Sequence, residues 1–197
     1  MVKESQKTYL SKTDYDPETG LVGSARQVFS PNFDARPPGV EIEVLIIHAI
    51  SLPPGEYEGS YVEQFFCNQL AVDDHPCFTE IAELNVSSHF FILRSGELVQ
   101  LVPVHQRAWH AGVSSCLGRD AVNDFSIGIE LEGCDGDAFE EAQYIALTEL
   151  TRLLVDVIPL LTAENIYGHS DIAPERKTDP GPCFDWKHYR EKLSNVY

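Results

Sequence analysis

Apolar and polar residues change period along this chain, and each period predicts an element. "EIEVLIIHAI", residues 41–50, is a run of β-branched and aliphatic side chains that meets the Pro-Pro-Gly of "SLPPGEY". It predicts a strand stopped by a turn, with His48 at or near the strand's C-terminal end, where open sheets tend to build their sites. "SYVEQFFCNQL" predicts a short helix, and "HFFILRSGELVQLVP" predicts two strands joined at Ser95-Gly96. "DFSIGIELEG" alternates, with Phe125, Ile127, Ile129 and Leu131 on one face and Ser126, Gly128, Glu130 and Glu132 on the other. From Asp137 the period turns helical: Phe139, Ala142, Ala146, Leu150, Leu153, Leu154 and Val157 recur at three- and four-residue steps. Asp137 with Glu140 reads as an N-cap pair, and Pro159 as the stop. A second helix is predicted after Asp185, through "WKHYREKL".

Hairpin and non-hairpin connections are mixed, which predicts a mixed α/β fold, a central mixed sheet flanked by helices, over a doubly wound parallel one. Residues 1–20 are polar and aperiodic and are expected to form an N-terminal arm, with residues 21–197 as a single domain. A chain of 197 residues can bury a sizeable core without disulfides. Its cysteines, Cys67, Cys77, Cys116, Cys134 and Cys183, are odd in number and never spaced as CxxC. They are expected to be half-buried thiols in a reducing compartment. Fourteen basic against 31 acidic residues give a net charge of -17, which repels nucleic acid and anionic membrane surfaces. No apolar run approaches the ~20 residues that span a bilayer, and the N-terminus lacks an apolar signal segment, so a cytoplasmic location is expected. Nothing in the composition implies an obligate protein partner.

The chemistry concentrates in "YGHSDIAPERKTDPGP", residues 167–182, which fits neither a helix nor a strand. Asp179 lies ten positions after His169, and Pro180 and Pro182 stiffen its backbone. Such a loop suits a ligating carboxylate and equally a surface turn. Seven histidines are present, and no two have the i, i+4 spacing of a helical metal pair. Taken singly, His48 and His169 read more readily as hydrogen-bonded structural histidines than as ligands. Converging with Asp179 they would supply two imidazoles and a carboxylate, the ligand set of a catalytic zinc with an open position. Glu130 and Glu132 share one strand face, and alternation does not choose between solvent and a cleft, although solvent suits Glu132 better. Lys177 is an ordinary surface lysine or, beside a metal, a stabiliser of developing negative charge.

Four segments, "HAISLPPGEY", "RAWHAGVSSCLGR", "NDFSIGIELEG" and "GHSDIAPERKTDPGPCFDW", resemble the AmpD family of zinc N-acetylmuramyl-L-alanine amidases, cytoplasmic enzymes of bacterial cell-wall recycling. The resemblance runs from about Leu21 to Trp186. It implies a peptidoglycan-recognition-like fold and one Zn2+ per chain held by His48, His169 and Asp179. Glu130 matches the catalytic glutamate, and Lys177 the lysine near the reacting carbonyl. The implied substrate is a small muropeptide, cleaved between the lactyl group of (1,6-anhydro-)muramic acid and L-alanine. Trp109, in the matching "WHAG", would offer a flat face to substrate, with packing against the sheet edge as the alternative; for His110 packing is the better reading. The chain departs from the enterobacterial pattern at Ala49, where Asn is usual, and at Asn85 and Ala121, where Arg is. Arg119 would then be the cation left for a stem-peptide carboxylate. Rival readings are a muropeptide-binding module without catalysis, which would lack part of the metal set, and an exported or phage amidase acting on intact wall.

Overall fold

The structure is a computed structural model of the chain, and it describes residues 10–57 and 59–195. Four short strands come first, β1 (Tyr15–Asp16), β2 (Leu21–Val22), β3 (Arg26–Gln27) and β4 (Phe33–Ala35), followed by β5 (Val44–Ile50). After α1 (Tyr61–Phe66) come β6 (Phe90–Ile92), β7 (Leu98–Gln100), β8 (Gln106–Ala108), β9 (Ser115–Cys116), β10 (Arg119–Asp120) and β11 (Ser126–Glu132). The chain closes with α2 (Glu141–Val157), β12 (Ile166–Gly168), α3 (His169–Ile172) and α4 (Trp186–Ser194).

Six strands form one sheet in the order β12-β5-β11-β6-β7-β3. The first four run parallel; β7 is antiparallel to β6 through the Ser95-Gly96 turn and parallel to β3. This is the mixed sheet that the mixture of connections predicts. Gly96 takes φ 84° in that turn, and a Cβ there would come within 2.8 Å of the Ala142 carbonyl oxygen, so only glycine fits.

The two sides of the sheet carry different cargo. Leu45 and Ile47 of β5 and Ile127, Ile129 and Leu131 of β11 join Leu147, Leu150 and Leu154 of α2 and Tyr189 of α4 in one apolar core. Each such side chain, fully removed from water, contributes roughly 1.5–3 kcal/mol. The opposite faces of the same strands present Val44, Ile46 and His48 of β5 and Ser126, Gly128, Glu130 and Glu132 of β11, and that side is covered too, in part by a second apolar cluster. All seven residues of β11 are buried, so the alternation separates a core face from a polar interior face. Glu132, expected in solvent, is 2 % exposed and accepts a hydrogen bond from the Arg94 amide at 2.9 Å.

Three boundaries differ from the hydropathy reading. The long helix begins at Glu141 and not at Asp137, with Glu140 as N-cap and its amide donating to Gln143 Oε1 at 3.0 Å. Asp137 instead accepts the Tyr57 hydroxyl proton at 2.6 Å. The inward face includes Tyr144 and Leu147, whereas Ala142 and Ala146 lie only half-buried beside it. At the N-terminus the 20/21 boundary falls inside an antiparallel β1–β2 hairpin. Leu10 and Tyr15 pack on the main core, and the Gly20 carbonyl accepts from Gln100 Nε2 and the Val104 amide. Those are backbone contacts to a polar turn, invisible to hydropathy; residues 1–9 of the expected arm lie outside the described residues. Finally, residues 167–182 contain the end of β12 and the short helix α3 before turning irregular.

Candidate active site

β5 and β11 are parallel and in register with His48 directly opposite Glu130, so alternation puts both side chains on the polar interior face. β12 lies on the other flank of β5 with Gly168 opposite Ile47, and the chain turns into α3 at His169. His169 thereby lands beside His48, 121 positions away in sequence. The loop after α3 folds back: the Ser170 amide donates to the Asp179 carbonyl at 2.9 Å. Pro180 closes over Gly168, where a Cβ would come within 2.8 Å of the proline Cδ. That contact explains the glycine before His169.

His48 Nδ1, His169 Nδ1 and Asp179 Oδ2 meet at 3.0, 3.0 and 3.1 Å. His48 is 1 % and His169 3 % exposed. The outward nitrogen of His169, Nε2, stands 3.1 Å from the Ala111 carbonyl, an acceptor only, so Nε2 carries the hydrogen and Nδ1 a lone pair. His48 Nε2 stands 2.9 Å from His110 Nδ1, and His110 Nε2 stands 3.0 Å from Ser126 Oγ. Burial holds the His48 imidazole neutral, its pKa pushed down to about 4 despite the Asp179 bond. Burial alone would raise the Asp179 carboxyl, but the adjoining His169 and His48 rings outweigh it and hold it low. Three acceptor atoms therefore share at most one hydrogen. Such a cluster calls for a cation, and these three residues could hold a metal ion.

Beside them Glu130 is 8 % exposed, and its Oε2 has no hydrogen-bond partner among the described residues. Burial raises its carboxyl well above the ordinary value, the Asp179 charge adds to that, and Lys177 opposes it. His169, Asp179, Glu130, Lys177 and His110 line one end of a cleft of about 270 Å³, and Phe65, Phe66, Ile81, Leu84 and Val86 form its apolar wall. A buried, unpartnered carboxylate with a raised pKa, next to a metal-type cluster and a lysine in a cleft, is equipped for general acid–base chemistry.

The structure thus brings together His48, His169, Asp179, Glu130 and Lys177. It does not bring Trp109 or Arg119 into the cleft. Trp109 is half-buried, its Nε1 donating to Asp34 and its amide to Ser87 Oγ. Arg119 pairs with Glu43 at 2.6 Å and stacks 3.9 Å above the Phe125 ring. Of the departures from the enterobacterial pattern, Ala49 lines the cleft, Ala121 lines a separate groove with Arg176, and Asn85 is exposed. His110, read as packing, does pack against Gly128 of β11, and beyond that reading it lines the cleft and touches His48. The available signal was Gly128, since glycine inside a strand marks a close approach; a Cβ there would stand 2.5 Å from His110 Cγ.

Comparison with known proteins places the chain in a family. The family model described as N-acetylmuramoyl-L-alanine amidase, Amidase_2, matches residues 38–182. The 1,6-anhydro-N-acetylmuramyl-L-alanine amidase AmpD of Escherichia coli (strain K12) is 51% identical over 177 residues, 90% of this chain and 96% of that protein. A crystal structure of a Se-Met AmpD derivative superimposes with a TM-score of 0.87 at 49% identity, covering 91% of this chain and 99% of the other. The Escherichia coli amidase AmiD, solved with the substrate anhydro-N-acetylmuramic acid-L-Ala-D-gamma-Glu-L-Lys, matches with a TM-score of 0.56 at 31% identity over 80% of this chain and 60% of that one. The chain belongs to the Amidase_2 family of N-acetylmuramoyl-L-alanine amidases, in the group of the AmpD amidases.

Proposed function

We propose that this chain is a zinc amidase that hydrolyses the bond between the lactyl group and L-alanine in 1,6-anhydro-N-acetylmuramyl peptides, in cytoplasmic recycling of wall fragments. The observation that carries the reading is the convergence of His48, His169 and Asp179 beside the unpartnered Glu130, in a chain half-identical to AmpD amidases. Ligands ~2.0–2.1 Å from a tetrahedral zinc stand about 3.3 Å apart, close to the 3.0–3.1 Å separations here. Two imidazoles and a carboxylate with a position left open make a ligand set of catalytic zinc. All five cysteines are free, in keeping with a reducing compartment.

Bound there, zinc would supply Lewis acidity, acidifying a water and polarising the scissile carbonyl. Glu130 takes the proton from the attacking water and delivers it to the departing alanine amine. Its missing hydrogen-bond partner leaves an oxygen free for both transfers. Lys177, lining the same cleft, offsets the negative charge that grows on the carbonyl oxygen. The apolar wall from Phe65 to Val86 excludes water from that charge and strengthens its interactions. No nucleophilic side chain is needed, so the reaction passes through no acyl-enzyme.

Incubation of the zinc-loaded protein with 1,6-anhydro-muramyl tripeptide and with intact sacculus, with released peptide measured from each, tests the reading. Peptide release from the anhydro compound is expected. Cleavage of neither substrate would leave a binding module, and cleavage of sacculus alone a wall hydrolase.

A further inference from the structure

His48 has two ring nitrogens and can offer only one lone pair at a time while neutral. The inner nitrogen, Nδ1, faces His169 and Asp179; the outer one, Nε2, faces His110 Nδ1 at 2.9 Å. The chain of contacts then continues from His110 Nε2 to Ser126 Oγ at 3.0 Å and ends there. Every member is buried: His48 at 1 %, His110 at 8 % and Ser126 at 0 % exposure.

This chain admits two proton orders. In one, the Ser126 hydroxyl donates to His110 Nε2, His110 Nδ1–H donates to His48 Nε2, and His48 Nδ1–H points at Asp179. In the other, every donor reverses: His48 Nε2–H donates to His110 Nδ1, His110 Nε2–H donates to Ser126 Oγ, and His48 Nδ1 is left with a lone pair. Only the second is compatible with a cation at the cluster. Both leave each imidazole neutral, and no proton enters or leaves the set.

We propose that His110 is a positioning residue that sets which nitrogen of His48 carries the hydrogen, reversing with Ser126 so that His48 Nδ1 is free to take the metal. The inference rests on the zinc reading above. Gly128 fits this role, because the absence of a side chain lets the His110 ring lie against β11. An imidazole suits the position because it is donor on one side and acceptor on the other in either order, as a carbonyl or carboxylate partner is not.

The experiment is zinc affinity by chelator competition on wild type, His110→Ala, His110→Asn and Ser126→Ala, with long-range nitrogen–proton NMR of the histidine rings in metal-free and zinc-loaded wild type. Expected are a loss of roughly 10- to 100-fold in zinc affinity for His110→Ala, the range for removing a ligand's supporting partner. His110→Asn, whose amide can turn to accept from His48 Nε2, should recover most of it. The His110 ring of wild type should carry its proton on Nε2 when zinc is bound. Zinc affinity of His110→Ala equal to wild type overturns the inference, as does a His110 proton on Nδ1 in the zinc-loaded protein. The NMR arm uses wild type, so it decides even where a variant fails to fold. A wild-type chain that binds no zinc overturns the metal reading and this inference together, whereas equal binding by His110→Ala overturns the inference alone.

Discussion

Burial raises the Glu130 carboxyl, the Asp179 charge raises it further, and Lys177 pulls it back down, so the ionised form is both the useful one and the costly one. As a base Glu130 must be ionised, and kcat/KM should therefore fall on acidification around a pKa well above the ordinary 4.5. A pH profile whose acid limb sits at the ordinary carboxylate value would remove Glu130 from that role. The same shift has a sign for stability. A carboxyl raised on folding contributes most below its unfolded pKa, and that contribution is lost as pH rises through the folded pKa. Glu130→Gln, which cannot ionise, should thus be more stable than wild type at neutral pH, by about 1 kcal/mol, with the gap closing below pH ~4.5; denaturant titrations at both pH values check this. Its turnover should drop roughly 100- to 10,000-fold while zinc stays bound. Asp179→Ala should instead lose the metal, and one zinc per chain retained by elemental analysis would refute its place in the cluster. The choice of Glu130 over Glu132 was legible only by resemblance, because both share a face and both are buried. What separates them is a hydrogen bond: Glu132 accepts from the Arg94 amide, while Glu130 Oε2 has no partner.

At the scale of elements, apolar runs and periods found β5, the β6–β7 hairpin, β11, α2 and α4, because each buries apolar side chains in the main core, β5 and the hairpin feeding a second cluster from their other face. It missed the β1–β2 hairpin and α3, which are held by backbone bonds and a loop that folds back, and it misplaced the start of α2 by four residues. The joint between β12 and α3 shows what such contacts do. A methyl group at Gly168 would strike Pro180 and Trp186, displacing the segment that carries both His169 and Asp179. Gly168→Ala should cost about 1–3 kcal/mol and weaken zinc binding together, read by thermal melts and chelator competition. Weakened stability with unchanged zinc affinity would mean that the two ligands tolerate the shift. The same contact was unreadable in "YGHS", where a glycine before a histidine looks like any turn.

Over the whole molecule the cluster joins β5 to the β12–α3 joint and the loop at Asp179, which lie 121 and 131 positions further along the chain. A metal bound there ties the sheet to that loop, so chelation should lower the melting temperature. At free zinc 100-fold above Kd the linkage is worth about 2.7 kcal/mol, or roughly 5–10 °C for a domain of this size; no change on chelation would mean the metal is absent or structurally idle. Removal of residues 1–20 tests the other end. Because Leu10 and Tyr15 reach the core and Gly20 bonds to Gln100, truncation should cost about 2 kcal/mol or more in urea, where a free arm would cost nothing. The in-register pairing of His48 with Glu130 has a consequence of its own. Two parallel strands that share one set of inward positions have a reading frame, and one residue added inside either strand would turn His48 or Glu130 into the opposite core. The connections between strands carry no such frame. Insertions belong in connections that carry none of the cleft's side chains, where a reporter or tag leaves the chemistry in phase, while a single extra residue inside β5 or β11 silences it.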